Sequence, residues 1–581
     1  MQDISPEPVR LGKYRYVRTE PVVFSPRDPK TLFFATNVLF KTTNGGQTWQ
    51  TVSPDLARQE YAVPKNLGVF TPLDPEKGKH RGVIYAVAPS FQDVNIIWAG
   101  TDDGLIHLTR DGGKHWTNIT PPELTAWSKV SVIEASHYDP NTAFAAVNRL
   151  RLDDLKPYLY RTRDGGKTWR KITAGLPEDA PLNAVREDPL RRGLLFAGSE
   201  RSVHVSFDDG DHWASLQLNL PHTSMRDLEV HGDDLIVATH GRSFWILDDI
   251  TPLRQLSPEE APLNFYRPQQ AYRVRWNRNT DTPLPPEISA GKNPPDGAIL
   301  NYYVRGPEVS PVVLEIFDSD NHLVRRFSST DPPEPPVKDL SVPTYWIRPA
   351  PILSGKPGMH RFVWDLHYPS PPSIDPDYPI SAIFRDTPRF PRGPRALPGI
   401  YRVKLTVGNQ TRTQELSIKL DPRVKTTPAQ LARQFRLASD IAQAMTTDFS
   451  ALEEVRSFHQ QAEAALARAG PGNSAGALAA LEAKLDALLG EREDFYTPPT
   501  SGERQHNFSR LSQDLQRLLE TVDEADLPPT PAMEASFGQL RTALDSLIEK
   551  WNEVRHRDLQ LANEELRRTG LVPIGASSAP K

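Results

Sequence analysis

Three acidic side chains stand in short turn segments between apolar stretches, where a ligand can reach them: Asp102, Asp103 and Glu200. Glycoside hydrolysis uses two carboxyl groups that flank the scissile bond, one as an acid and the other as a base or nucleophile. Asp-Gly and Ser-Glu-Arg are also ordinary hairpin sequences, and polar turns normally face solvent. These residues are therefore either candidates for catalysis or plain turn residues.

Four further polar residues lie in turns of the same kind and are candidates for ligand binding: Asn37, Arg201, His240 and Arg242. An arginine side chain offers a planar fork of donors that fits a carboxylate or a phosphate. Arg242 together with His240 could therefore anchor an anionic group.

The composition excludes several other kinds of chemistry. The 581 residues include no cysteine, which rules out disulfides, thiolate metal sites and a cysteine nucleophile. The formal net charge of −5 argues against a nucleic-acid-binding protein. No apolar run approaches the roughly 18 residues of a membrane helix. The 15 histidines show no metal-ligand spacing, so we predict no metal and no cofactor.

One serine motif is best explained as an accident of composition. Gly472, Ser474 and Gly476 match the G-x-S-x-G pattern of a nucleophile elbow. An elbow needs a strand before the serine and a helix after it, whereas this serine follows a predicted helix and Pro471. We do not expect esterase activity.

The elements that position the candidate residues come from an internal repeat. A pattern of Thr or Ser, then Asp or Asn, then Gly, then Trp occurs four times, and the tryptophans follow one another after 67, 53 and 44 residues. Asp or Asn and Gly are typical of tight turns, and a tryptophan at the start of the next strand buries a large apolar surface. The four copies are Thr42, Asn44, Gly46 and Trp49; Thr109, Asp111, Gly113 and Trp116; Thr162, Asp164, Gly166 and Trp169; Ser206, Asp208, Gly210 and Trp213.

Each copy follows a short apolar strand pattern, and a fifth pattern at 235–247 lacks the turn. Four short antiparallel strands in roughly 45 residues form one blade of a β-propeller. Residues 1–251 therefore predict about five blades. Within a blade the repeat turns join the third and fourth strands, and the turns with the candidate residues join the second and third, on the opposite face.

The repeat resembles the Asp-box, or BNR, repeat of sialidases, xyloglucan-type glycosidases and the sortilin (VPS10) propeller. The whole chain resembles bacterial BNR-repeat proteins that are often labelled glycosyl hydrolases. The resemblance implies an exported protein, periplasmic or secreted. Because such relatives are longer, it also implies that this chain is the C-terminal part of a longer protein whose signal lies upstream of Met1. A complete five-blade protein is the alternative. In Asp-box glycosidases the catalytic carboxylates lie on the face opposite the boxes.

The rest of the chain predicts three further regions and a tail. A proline-rich linker is expected at 252–295, and alternating apolar residues at 296–425 predict a β-sandwich with a proline-rich insertion. This sandwich resembles the immunoglobulin-like domain of FlgD. Leucines at helical spacing predict a helical bundle or hairpin at 426–568, and 569–581 is expected to be disordered.

Three functions remain open from the sequence. The first is a binding or scaffold protein, sortilin-like in its repeat, that holds a protein, peptide or glycan on the propeller. The second is a glycoside hydrolase that acts on a polysaccharide. The third is an export or assembly factor that works through its C-terminal modules. The sequence favours the first, because the repeats are structural and no acid and base can be paired.

Overall fold

The computed structural model describes residues 3–6, 9, 14–60, 64, 82–257, 261–275, 291, 293–306, 311–332, 343–374, 376, 378, 387–469, 476–490 and 506–575. The chain divides into two units, Met1–Leu256 and Ser257–Lys581. It is mainly β up to Leu420 and helical from Pro428 onward.

The described part of the first unit forms five antiparallel sheets that follow one another along the chain. Four of them have four strands in sequence order, and the fifth has three. The strands are β1 Val22–Phe24, β2 Leu32–Ala35, β3 Leu39–Thr42, β4 Gln50–Thr51, β5 Ile84–Pro89, β6 Ile97–Thr101, β7 Ile106–Thr109, β8 Thr117–Asn118, β9 Lys129–Ala135, β10 Ala143–Arg149, β11 Asp154–Thr162, β12 Arg170–Lys171, β13 Leu182–Glu187, β14 Leu195–Ser199, β15 Val203–Ser206, β16 Ala214–Ser215, β17 Met225–His231, β18 Asp234–Thr239 and β19 Phe244–Leu247.

Neighbouring sheets pack through the strand that opens each of them, with β5 against β9, β9 against β13 and β13 against β17. The second strands are buried on both faces, so that all residues of β6 and β14 are buried. A strand enclosed in this way shows a continuous apolar or small-residue run instead of alternation. The spacing between sheets is tight at Gly100, where a Cβ would lie 2.4 Å from Cγ1 of Val130 in the next sheet.

The two ends of this series of sheets carry exposed apolar side chains. Val22 and Phe24 of β1 are 59% and 62% exposed, and Phe244 and Ile246 of β19 are 75% and 53% exposed. In the part of the chain that the structure describes, β1 does not pack on β17 as β9 packs on β13. The end strands therefore keep apolar faces that the inner sheets bury.

The second unit begins with two sheets that share one hydrophobic core, which includes the fully buried Trp364. One sheet has the order β20-β22-β25, and the other has the order β21-β27-β26-β23-β24. The strands are β20 Leu263–Phe265, β21 Ala271–Arg273, β22 Ala298–Val304, β23 Val312–Phe317, β24 Leu323–Ser328, β25 Gly358–Trp364, β26 Gly399–Val407 and β27 Gln410–Leu420.

The region 252–295 differs from the predicted linker. A short helix, α1 Thr251–Gln255, leads into it, and β20 and β21 within it pair with β22 and β27. The linker prediction rested on proline content. Pro262 and Pro268 lie beside these strands and not inside them, where proline is tolerated.

In the described residues after the sheets there are five helices: α2 Pro428–Ala469, α3 Gly476–Leu489, α4 Phe508–Asp523, α5 Pro531–Glu553 and α6 Leu559–Arg568. A π-helical turn, Val554–Asp558, joins the last two. The leucines expected to line one face of α3 are all buried in the common core of the helices: Leu478, Leu481, Leu485 and Leu488.

The segment 569–575, which the sequence predicts to be disordered, contacts the helical core through Ile574. Ile574 is 4% exposed and packs into the helical core. Its backbone N–H and carbonyl both bond to the side chain of Asn563, at 2.7 and 3.0 Å. A single apolar residue with a well-placed amide partner is enough to hold the segment, and this contact leaves no periodic signal in the sequence.

A buried ionic contact joins the sheets of the second unit to its helices. Nη2 of Arg273 on β21 lies 2.8 Å from Oδ1 of Asp526, which follows α4. The two side chains are 2% and 3% exposed. Nε of Arg275 lies 2.8 Å from the same oxygen. Such a contact specifies how the helices sit on the sheets of this unit.

Some sequence predictions fall outside the described residues. These are the serine motif at 472–475, parts of the proline-rich insertion at 333–342 and 379–386, and the end of the tail at 576–581. Among the helices that the structure describes, none is long and apolar enough to cross a membrane.

Candidate functional site

The four repeat turns each fold back on themselves through the same hydrogen bonds, and each joins the third strand of a sheet to the fourth. In the third copy, Oγ1 of Thr162 donates to Oδ1 of Asp164 at 2.9 Å and accepts from the Gly166 amide at 2.9 Å. Oδ1 of Asp164 also accepts from the Thr168 amide at 2.9 Å. The corresponding residues of the other three copies make the same bonds.

The carboxylates of the repeat turns are therefore committed to their own turns. Hydrogen bonds from the amide and ring of His115 hold the pKa of Asp111 well below its usual range. The hydroxyl and amide of Thr168 likewise lower the pKa of Asp164. A carboxylate with so little affinity for a proton is a poor general acid. These contacts favour a structural role for the repeat turns.

The repeat tryptophans connect each sheet to the one before it. Nε1 of Trp213 donates to the carbonyl oxygen of Ile172 at 3.0 Å, and Nε1 of Trp169 donates to that of Ile119 at 2.7 Å. In each case the acceptor lies three residues after the tryptophan of the preceding sheet, as it does for Trp116. The apolar ring and the polar N–H of each tryptophan thus both serve the contact between sheets.

The two aspartates predicted as catalytic lie in the β6–β7 turn and bond to other protein groups. Asp103 is 2% exposed, and its carboxylate accepts from the Thr101 hydroxyl at 2.5 Å and the Arg58 amide at 2.8 Å. Burial raises the pKa of Asp103, and these hydrogen bonds offset the effect only in part. Asp102 is 7% exposed and lies 3.1 Å from Nη1 of Arg151. These contacts favour a structural role for both aspartates.

Glu200, in the β14–β15 turn, keeps a partly exposed carboxylate, with its side chain 22% exposed. Its Oε1 accepts from Nδ2 of Asn183 at 3.0 Å and lies 3.3 Å from Nη1 of Arg226. Nδ2 of Asn148 donates to Oδ1 of Asn183 at 3.3 Å and to Oγ of Ser131 at 2.9 Å. These five side chains form a continuous polar ladder from the third sheet to the fifth.

Two of the predicted ligand-binding residues are engaged with nearby parts of the chain. Oδ1 of Asn37, in the β2–β3 turn, accepts from the Arg15 amide at 3.0 Å. Nη1 of Arg201, next to Glu200, lies 2.6 Å from Oδ2 of Asp179. Asn37 thus positions a backbone segment, whereas Arg201 keeps an exposed but paired charge.

The other two, His240 and Arg242, are exposed in the β18–β19 turn. The His240 amide donates to the carbonyl oxygen of Ser224 at 2.9 Å. This bond ties the turn to the start of β17, two residues before Arg226. The turn therefore adds exposed polar groups beside one end of the polar ladder.

A contact that the sequence did not reveal joins Tyr85 at the start of β5 to Lys129 at the start of β9. Nζ of Lys129 lies 3.6 Å from the centre of the Tyr85 ring, and the Thr19 hydroxyl donates to Tyr85 Oη at 3.2 Å. Burial alone would raise the pKa of Tyr85. The hydrogen bonds with Lys129 and Thr19, together with the charges of Lys129 and Arg226, outweigh burial and lower this pKa. Lys129 is also the cross-strand partner of Asn148, which belongs to the polar ladder that ends at Glu200 and Arg226.

The site residues that the sequence analysis did not identify share a position within their strands but no sequence motif. Tyr85, Lys129, Asn183 and Arg226 each stand first or second in the strand that opens a sheet. Comparing this position across the repeats would have identified them. Together with Glu200 they form what we call the inner-strand polar set, which offers two cations, one carboxylate, one phenol and one amide.

The three carboxylates predicted as catalytic differ in their exposure. Glu200 is the partly exposed carboxylate of the predicted catalytic residues, and Asp102 and Asp103 are buried and hydrogen-bonded. In the ranges that the structure describes, no group of three or more His, Asp or Glu side chains could hold a metal ion.

Comparisons with known proteins give only distant similarities, and no family model matches the chain. A stretch of 111 residues is 29% identical to the oligoxyloglucan-reducing end-specific xyloglucanase of Emericella nidulans, covering 19% of this chain and 14% of that protein. The part of this chain that matches therefore covers much less than two thirds of the length of this curated relative.

Solved structures are similarly distant. A GH74 xyloglucanase from Xanthomonas campestris aligns with a TM-score of 0.29 at 18% identity, over 40% of this chain and 37% of that chain. YCF48 from Cyanidioschyzon merolae aligns with a TM-score of 0.26 at 16% identity, over 41% of this chain and 70% of that chain. Similarities of this size do not establish a family or a function.

Proposed function

We propose that this chain is a propeller-based binding or scaffold protein. Its five sheets serve as the blades, and its ligand, a protein, peptide or glycan, binds on the face with the turns between second and third strands. The polar ladder supports this most directly. It links three sheets and ends in the partly exposed Glu200 and Arg226. A ligand there would be contacted by groups whose positions are fixed by neighbouring sheets.

The remaining modules fit the same proposal. The two sheets of the second unit form the immunoglobulin-like sandwich, and the sandwich and the helices serve as docking modules of an exported, longer protein. The sandwich and helices are joined through Arg273 and Asp526, so that they would dock as one body.

Glycoside hydrolysis is the second candidate. The match of 111 residues to a xyloglucanase favours it. Against it stands the geometry of the predicted carboxylates. A glycosidase needs two carboxyl groups roughly 5–10 Å apart on either side of the bond. Two of the three predicted groups, Asp102 and Asp103, are buried and paired with protein groups.

Binding and hydrolysis can be separated with one variant and one control. The full chain is tested for binding to an array of neutral oligosaccharides, acidic oligosaccharides and peptides, and for release of reducing ends from xyloglucan. Glu200→Gln removes the charge of the ladder's carboxylate. Glu549→Gln makes the same change at an exposed position of α5.

We expect a ligand whose dissociation constant rises about tenfold in Glu200→Gln, equivalent to about 1.4 kcal/mol, and stays unchanged in Glu549→Gln. Repeated turnover of xyloglucan that is lost in Glu200→Gln would establish the hydrolase instead. The proposed site would be contradicted if the natural chain bound no member of the array. It would also be contradicted if Glu200→Gln bound the ligand as tightly as Glu549→Gln.

A further inference from the structure

The inner-strand polar set carries more positive than negative charge. Lys129 and Arg226 supply two cations, and Glu200 supplies one carboxylate. The Arg226 side chain is 45% exposed, and Lys129 and Tyr85 are each partly exposed. Arg242 adds an exposed cation on the turn that the His240 amide ties to the start of β17. An approaching ligand thus meets a locally positive surface on a chain whose formal net charge is −5.

Both cations of the set keep capacity for a further acceptor. Arg226 approaches Glu200 through one terminal nitrogen, Nη1, at 3.3 Å. A guanidinium has five N–H donors in a planar fork, so that this contact leaves donors for a second carboxylate. The ammonium of Lys129 has three donors and lies 3.6 Å from the centre of the Tyr85 ring, so that its contact with Tyr85 leaves donors for a further acceptor.

The groups beside the cations suit hydroxyls. The Glu200 carboxylate accepts hydrogen bonds, and the Tyr85 hydroxyl both donates and accepts. A sugar acid presents hydroxyl groups next to its carboxylate and can use all four side chains. The terminal carboxylate of a peptide has one amide N–H and no hydroxyl beside it, so a peptide offers fewer groups to Glu200 and Tyr85 than a sugar acid does.

We propose that the inner-strand polar set binds an acidic oligosaccharide, with uronic acid carboxylates on Lys129 and Arg226 and sugar hydroxyls on Glu200 and Tyr85. This inference rests on the proposed binding function and names the class of its ligand.

The test compares acidic and neutral sugars of equal size on the full chain. The probes are trimers of galacturonic acid and of glucuronic acid, the neutral trimers of galactose and of glucose, and a tripeptide with a free carboxylate. Binding is measured by isothermal titration calorimetry at low salt and at 0.5 M salt. The variants are Lys129→Met and Arg226→Gln. The control is Lys171→Met, which removes an ammonium lying 4.5 Å from the Tyr158 ring elsewhere in the first unit.

We expect one of the uronic acid trimers to bind at least tenfold more tightly than its neutral counterpart. Each of the two site variants should weaken this binding about tenfold, and the control should leave it unchanged. High salt should weaken binding of the acid and leave the neutral sugar unaffected, because salt screens partly exposed charges. Circular dichroism of each variant verifies that the fold is intact.

Three outcomes would overturn the inference. Equal binding of acidic and neutral trimers, with loss of both in Glu200→Gln, would refute the acidic ligand while leaving the proposed binding function in place. Tighter binding of the tripeptide would replace the sugar with a peptide. If no probe binds to the folded full chain, and the wider array of glycans and peptides is negative as well, the inference and the proposed function fail together.

Discussion

Nε1 of Trp213 donates a hydrogen bond of 3.0 Å to the carbonyl oxygen of Ile172, which lies 41 residues earlier in the chain and in the preceding sheet. Ile172 is itself buried, and Gly210 of the same repeat turn packs against it. One residue of the fourth sheet thus supplies both a large apolar surface and a directed polar contact to the third. The stability of the first unit should depend on both.

Shortening Trp213 should separate these two contributions. Trp213 is 6% exposed, so Trp213→Ala should destabilise the first unit by about 3–5 kcal/mol, the usual cost of truncating a buried aromatic residue. Trp213→Phe keeps a ring but leaves the Ile172 carbonyl without its donor, and should cost about 1–3 kcal/mol. Urea unfolding followed by hydrogen exchange of peptides from the first unit gives both values. Trp49→Ala, at the more exposed first copy, should cost less than Trp213→Ala, and equal losses would show that burial does not set the effect.

A glycine pair in the second repeat turn allows a matched test of the sheet contact. Gly112 and Gly113 both have positive φ, +75° and +102°. A Cβ on Gly113 would lie 2.4 Å from the Val52 carbonyl oxygen, whereas one on Gly112 would lie 3.5 Å from its nearest neighbour. Gly112→Ala should therefore cost about 1–2 kcal/mol for the left-handed backbone alone. Gly113→Ala should cost about 1–3 kcal/mol more, because the backbone of the preceding sheet must move. Thermal unfolding of both variants decides between this account and one based on backbone strain alone, which predicts equal losses.

Asp448 on α2 predicts a pH dependence of the helical region. It is fully buried, and burial raises its pKa to about 8. Because this pKa lies above the usual value of about 3.9 in the unfolded chain, the group's stabilising contribution is complete below pH 4 and is lost as pH rises toward 8, by about 1.4 kcal/mol per pH unit. Asp448→Asn should flatten this slope and be more stable than the natural chain at pH 8. Asp440→Asn, an exposed position of the same helix, is the control. Parallel stability curves for Asp448→Asn and the natural chain between pH 4 and 8 would contradict the prediction.

Removing the buried carboxylate of Asp526 should loosen the helices from the sheets of the second unit. Asp526→Ala leaves the buried charge of Arg273 with two backbone carbonyl acceptors but no carboxylate, and breaking a buried ion pair typically costs about 3–5 kcal/mol. Asp545→Ala removes an exposed partner of Arg541 on α5 and should cost less than about 1 kcal/mol. Urea unfolding measured by circular dichroism at 222 nm reports the helices. Similar midpoints for the two variants would mean that the buried pair does not hold the helices in place.

The parts of the fold that follow from local interactions could be predicted from the sequence. The repeat turns depend on hydrogen bonds between residues no more than four positions apart, so that eight residues carry the whole pattern. The buried face of α3 follows from leucine spacing alone. The strands β20 and β21 could not be found in this way, since three residues each are too few to show a period.

The candidate site was predictable only in part, because its geometry depends on distant contacts. The sequence placed Glu200 in a turn but could not show that Asn183 and Arg226 would meet it. The buried carboxylate of Asp103 accepts a hydrogen bond from the Arg58 amide, which is 45 residues away in the chain. Turn composition therefore identified candidate residues, and packing between sheets decided which of them stay exposed.

The repeated contact between sheets also bears on how such a chain can evolve. Three of the four repeat tryptophans, Trp116, Trp169 and Trp213, bond to the carbonyl oxygen three residues after the previous tryptophan, although the tryptophans are separated by 67, 53 and 44 residues. The same joint thus tolerates different lengths of chain between its two halves. A gene segment that encodes one of the first four sheets could be duplicated, deleted or lengthened by an insertion without redesign of its neighbours, because the three junctions among these sheets have the same donor and the same acceptor.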